Sequence, residues 1–143
     1  MPGGLRRHPR ALIEAIALAV RVELALRRRS FEQVLAHVTT TRPRPERARD
    51  VPTRTVERAI QIAYRLLPFE STCLKRSLVL CLFRRRRGLP ATLRIGVRKN
   101  GGEFAAHAWV EDADGNVLTD PLEGFSPVPL PAGPATRDAK AND

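Results

Sequence analysis

The sequence is poor in lysine, aromatic residues and cysteine. Only Lys75, Lys99 and Lys140 are lysines, and aromatics make up 5% of the 143 positions. At 43% hydrophobic residues the chain has enough apolar material to bury a core, unlike a disordered chain. That core has to come mostly from Leu, Val, Ile and Ala. Cys73 and Cys81, the two cysteines, are too few for a disulfide framework or a cysteine zinc site. They share one short stretch, where a bridge would staple nothing distant, and free thiols in a reducing compartment are expected. Long apolar runs are missing as well. Ala11 to Val20 follows Arg6, Arg7 and Arg10 in the manner of a signal peptide, but Glu14 interrupts it and no small-residue cleavage site follows. No stretch reaches the ~18 apolar residues of a membrane span, and a cytoplasmic chain is expected.

What is abundant is arginine. Lys and Arg number 25 against 15 acids, a formal net charge of +10. Such a surface attracts polyanions, acidic peptides or anionic lipid, less so as salt rises. The length suits one domain, with or without a tail.

Pro9 to about Arg29 reads as a helix: Leu12, Ile13, Ile16, Val20 and Leu24 recur at spacings of three and four, behind a proline suited to the first turn. Ser30 with Gln33 forms a capping-box pattern that opens a shorter helix to about Val38. Thr39 to Pro52, with Pro43, Pro45 and Pro52 and no apolar rhythm, reads as a linker or long loop. A third helix is expected from about Thr53 to Leu67, with Val56, Ile60, Tyr64 and Leu67 on one side. Ser71 or Thr72 caps a fourth, which runs to about Arg87 and stops at Gly88.

From Ala91 the period changes to two. Leu93, Ile95 and Val97 alternate with Arg94 and Arg98, Asn100-Gly101-Gly102 turns the chain, and Phe104 to Glu111 alternates again. Asp114-Gly115 makes a further turn, and Asn116 to Thr119 is expected as a third short strand. Helices followed by a small antiparallel meander make an α+β fold. The divisions expected are residues 1–50, a helical segment with linker; 51–125, the core; and 126–143, a Pro-rich flexible tail.

Cys73, His107 and Asp120 carry the chemistry. Cys73 falls in the first turn of the fourth helix, where free backbone N–H groups and the positive dipole end favour a thiolate and can hold an oxyanion. Cys81, two turns on among leucines, reads as core. His107 stands mid-strand between Ala106 and Ala108, which leave room for an approaching group. Alternation sets it on a face with Ala105, Trp109 and Glu111. Asp120 shares that face if Asp114-Gly115 is a two-residue turn; a three-residue loop sends it to the other face unless a bulge intervenes. A thiol, an imidazole and a carboxylate are the nucleophile, base and base-orienter of acyl transfer, with no metal or cofactor required. His8 and His37 have no paired acid or cysteine motif nearby and stand outside this group. Glu70, before Cys73, would repel an oxyanion, so backbone N–H groups are expected to carry that role.

The blocks Cys73-Leu74-x-Arg76-Ser77-Leu78, Gly88-Leu89-Pro90-Ala91-x-Leu93-x-Ile95-Gly96-Val97 and His107-Ala108-Trp109-Val110-Glu111, with the later Asp120, resemble the lasso peptide leader peptidases. These belong to the transglutaminase-like cysteine protease superfamily, with a papain-like core, and the resemblance covers about Val51 to Val128. It implies a hydrolase that cuts the leader from a ribosomally made precursor, with Cys73 as nucleophile, His107 as general base and acid, and Asp120 orienting His107. It also implies a separate small leader-binding protein as partner, because no winged-helix module is evident here, and an ATP-dependent cyclase acting next. Two other functions compete. An amide-forming acyltransferase of the same superfamily would use the same thioester, captured by an amine. A nucleic-acid-binding protein would use the charge and the Arg84 to Arg87 run, but no zinc spacing, aromatic pattern or basic heptad helix accompanies it, so no nucleic-acid partner is expected.

Overall fold

The computed structural model describes residues 3–44, 51–119 and 125–130. In chain order these form α1 (Gly3–Arg7), α2 (Pro9–Arg28), α3 (Phe31–Thr39), α4 (Thr53–Leu66) and α5 (Cys73–Arg85), then β1 (Thr92–Asn100), β2 (Glu103–Glu111) and β3 (Ser126–Val128). The α+β reading holds: helices come first and a three-stranded antiparallel sheet follows.

Local signals set most of the boundaries. The capping box is formed in full, with Gln33 N donating to Ser30 Oγ at 3.2 Å and Ser30 N to Gln33 Oε1 at 3.1 Å. Thr72 caps α5 by accepting from Lys75 N at 3.2 Å. Gly88, at φ +75°, turns the chain out of α5. Gly101 and Gly102, at φ +61° and +90°, make the two-residue hairpin between Asn100 and Glu103, where both positions of a type I′ turn need positive φ.

Helix α2 departs from its sequence pattern. The face it buries carries Ala11, Glu14, Ala15, Leu18, Ala19, Val22 and Glu23, whereas Ile13 is 68% and Leu24 41% exposed. Two carboxylates turn inward because α5 and the turn after it present cations to them. Glu14 takes a two-pronged contact from Arg87, at 3.1 and 2.7 Å, and Glu23 takes Lys75 Nζ at 2.8 Å. The alanines between them let α4 and α5 approach closely.

One core joins α2, α3, α4, α5 and the sheet, centred on Leu18, Val22, Ile60, Leu78, Phe83 and Val110. The division at residue 50 therefore separates stretches of sequence that share one hydrophobic interior. Residues 45–50 lie outside the described residues. Ahead of them, Arg44 N donates to Arg86 O at 2.7 Å and Arg85 Nη1 to Thr39 O at 2.9 Å, so the start of the expected linker is tied to the end of α5.

The sheet order is β2-β1-β3, with β1 in the centre. This corrects the expected meander. Asn116 to Thr119 contributes a single bridge, Glu111 to Val117, on the free edge of β2. The third strand is Ser126–Val128, which pairs with Ile95, Gly96 and Val97 on the other side of β1. Its side chains are exposed and include a proline, as suits an edge strand, and it gives no alternation for a sequence reading to detect.

Candidate functional site

The site lies where the N-terminus of α5 meets β2. Cys73 is the first residue of α5 and is half-buried. Helical bonding begins at Arg76 N to Thr72 O, and Lys75 N is held by the Thr72 hydroxyl. That leaves the N–H groups of Cys73 and Leu74 outside the ladder, beside the thiol. One turn on, the buried Ser77 donates its hydroxyl to Ala108 O at 3.2 Å. This contact fixes α5 to β2 one residue from His107.

Cys73 and His107 consequently line the same small cleft, about 70 Å³, which α4 closes from the other side with Glu57 and Gln61; Arg76 and Thr119 complete its polar wall. His107 is half-buried, and its ring lies 5.5 Å from that of Phe125 at a 40° tilt. Arg98 covers the same Phe125 ring at 4.7 Å. Phe125, just before β3, thus sets an apolar ring against the imidazole from across β1.

The other cysteine sits elsewhere. Cys81 is fully buried, and desolvation pushes its thiol up to about 12, as its reading as core requires. Lys75 is not free to act on Cys73, because it binds Glu23 and Glu70 O.

Asp120 lies outside the described residues. The loop before it is settled: Asp112 N donates to Asn116 O at 3.0 Å and Glu111 bridges Val117, so the loop is three residues, Ala113 to Gly115, with Gly115 at φ +83°. Leu118 N donates to Val110 O at 2.8 Å. Continued by one residue, this register sets Thr119 opposite Trp109, on the face that carries His107. Thr119 Oγ1 is buried and has no hydrogen-bond partner among the described residues. The condition that would have aligned Asp120 with His107, a two-residue turn, is not met.

Sequence reasoning missed Gln61, Glu57, Arg76 and Thr119. Gln61 and Glu57 sit four residues apart on the polar side of α4, where nothing in the sequence separates them from ordinary solvated residues. Arg76 stands inside the quoted cysteine block but carries no chemical signal of its own. Thr119 was hidden by the loop length.

The basic run after Cys81 is turned inward. Arg84 Nε reaches Pro90 O at 3.1 Å, Arg85 Nε reaches Ala91 O at 2.9 Å, and Arg87 stacks on Phe83 at 3.6 Å while binding Glu14. These arginines clamp the end of α5 to its neighbours. Among the described residues, no three His, Cys, Asp or Glu side chains group as metal ligands do, and no helix is long and apolar enough to cross a membrane.

A family model described as the transglutaminase-like superfamily matches residues 15–129. The comparison with curated proteins found no match, and neither did the comparison with solved structures.

Proposed function

This chain belongs to the transglutaminase-like superfamily, and on that premise we propose that it is a cysteine peptidase that removes the leader from a lasso peptide precursor, acting with a separate leader-binding protein. The observation that carries the catalytic part is the shared cleft of Cys73 and His107 at the N-terminus of α5. The leader substrate and the partner rest on the sequence blocks around Cys73, Gly88 and His107.

In this reading His107 takes the proton of Cys73, and the thiolate attacks the carbonyl carbon of the scissile amide. The oxyanion forms against the N–H groups of Cys73 and Leu74. Gln61, a neutral amide in the same cleft, supplies the side-chain donor that Glu70 could not. His107 returns its proton to the leaving amine, and the C–N bond breaks to leave a thioester. Water, deprotonated by His107, then attacks the thioester, and the thiol leaves with the carboxylate released. By the resemblance alone Asp120 is assigned the orientation of His107, and with the three-residue loop this role requires a bulge after Thr119.

The test is a cleavage assay with full-length chain, precursor peptide and leader-binding protein, read by product masses. Leader and core fragments that sum to the precursor plus one water support the peptidase. An acyl group transferred to an amine makes the chain an acyltransferase. Cleavage that survives Cys73→Ala overturns the assignment.

A further inference from the structure

A second concavity, about 680 Å³, lies between α2, α3 and the 40–44 segment, at the opposite end of α5 from Cys73. Its volume falls within the usual range of ligand sites. The floor is aliphatic: Leu18 and Val22 of α2, Val34 and Val38 of α3, and Leu82 of α5, with the exposed Leu24 at its edge. Around it stand five exposed arginines, Arg21, Arg28, Arg29, Arg42 and Arg44. None of the five has an ion pair among the described residues, and the described lining holds no acid and no Phe, Tyr or Trp; its one ring is the imidazole of His37.

We propose that this cavity docks an acidic segment of another polypeptide, one whose carboxylates alternate with aliphatic side chains. These arginines, without an ion pair among the described residues and brought together by α2 with its C-cap and by the 40–44 segment, repel one another, and an anionic occupant relieves that repulsion. The aliphatic floor selects among anions. A nucleic-acid strand would gain from a series of aromatic stacking platforms, and the described lining offers a single imidazole, His37, against five aliphatic side chains. A membrane surface meets a convex amphipathic face better than a concavity. The chain's own last residues do not complement the site, since Asp138 and Asp143 are offset by Arg137 and Lys140. The proposal goes beyond the peptidase reading and does not need it. If both hold for one substrate, the acidic segment stands at least about six extended residues from the scissile bond, because the 13 residues of α5 span ~20 Å.

The probe is a fluorescein-labelled synthetic dodecapeptide of alternating Glu and Leu, with a Glu/Ser peptide as its control, titrated with the full chain in a fluorescence anisotropy assay. Arg28→Glu with Arg42→Glu alters the rim. Arg54→Glu with Arg58→Glu makes the same charge change on exposed positions of α4. Saturable binding that weakens about tenfold or more in the rim pair, and less than about twofold in the α4 pair, is expected. The Glu/Ser peptide should also bind about tenfold more weakly, since it offers the floor no aliphatic side chain. Circular dichroism checks that both pairs fold; if the rim pair does not, Arg21→Gln with Arg44→Gln replaces it. Equal weakening in both pairs, equal binding of the two peptides, no binding, or displacement by single-stranded DNA or phosphatidylglycerol vesicles at lower charge concentration overturns the proposal. Binding measured in Cys73→Ala separates this result from the fate of the peptidase reading, because the rim arginines are not in the catalytic cleft.

Discussion

The hydroxyl of Ser77 donates to the carbonyl of Ala108 across 3.2 Å, in the buried seam between α5 and β2. Cys73 precedes Ser77 by one helical turn and His107 precedes Ala108 by one residue, so this one bond holds the proposed nucleophile and the proposed base to a common wall. Ser77→Ala is expected to cost about 1–2 kcal/mol and to reduce the alkylation rate of Cys73 at neutral pH. Urea midpoints and mass-mapped alkylation report the two effects separately. A variant that loses stability yet keeps full Cys73 reactivity would show that the seam holds without it.

Cys81 serves as the internal reference. Its thiol, raised to about 12 by burial, stays protonated in the folded chain while an unfolded cysteine ionises near ~8.5. The unfolded state therefore binds fewer protons between these values, and stability falls as pH rises from about 8.5 toward about 12. Cys81→Ala should lessen that slope while costing stability at neutral pH through the cavity it leaves. Paired chemical denaturation curves at pH 7 and pH 10 measure both.

Glu23 acts at the opposite end of the pH range. Its carboxyl is held below the ordinary value first by the hydrogen bond from Lys75, and further by Lys75 and Arg27 charge. A depressed carboxylate contributes stability above its unfolded value, and this is lost as pH falls through the folded one. Glu23→Gln should flatten the acid limb of the stability curve, and by freeing Lys75 it should also alter Cys73 reactivity. An unchanged acid limb would exclude Glu23 as its source.

The Glu14–Arg87 pair is buried on both sides, with contacts of 3.1 and 2.7 Å. Arg86 Nη1 stands 3.8 Å from the same carboxylate and is buried too, so Glu14→Leu takes the carboxylate from two buried guanidiniums and should destabilise by about 3–5 kcal/mol. Arg87→Leu leaves Glu14 facing Arg86 and should cost less, and the double replacement should recover only part of the Glu14→Leu loss, because Arg86 then lacks that carboxylate. A thermodynamic double-mutant cycle gives the coupling, and additive losses would mean that the pair does not act as one unit.

Gly96 stands opposite His107 in the sheet, and a Cβ there would lie 2.6 Å from the Trp109 indole and 3.0 Å from Ser126 O. Gly96→Ala must push the indole or β3 away, at about 1–3 kcal/mol. The indole is also held by Glu111, which accepts from Nε1 at 2.7 Å, so its displacement should appear as a shift in tryptophan emission from the chain's one Trp. Unchanged emission with unchanged stability would argue against the close approach.

The sequence by itself determined whatever depends on neighbours along the chain. Caps at Ser30 and Thr72, the stop at Gly88, the Gly101-Gly102 hairpin and the alternation in β1 and β2 are local steric and hydrogen-bonding preferences, and the positions of Cys73 and Cys81 on one helix follow from them. Tertiary structure decided what depends on partners distant in sequence. The inward places of Glu14 and Glu23 on α2, with Ile13 and Leu24 left exposed, depended on Arg87 and Lys75 reaching those carboxylates from the turn after α5 and from α5. The inward fate of the Arg84 to Arg87 run depended on carbonyls and a carboxylate from other elements. The entry of Gln61 and Thr119 into the Cys73 cleft required α4 to pack beside α5 and the 113–115 loop to take three residues. Those outcomes come from long-range pairing, where a side chain's environment is fixed only after the elements meet.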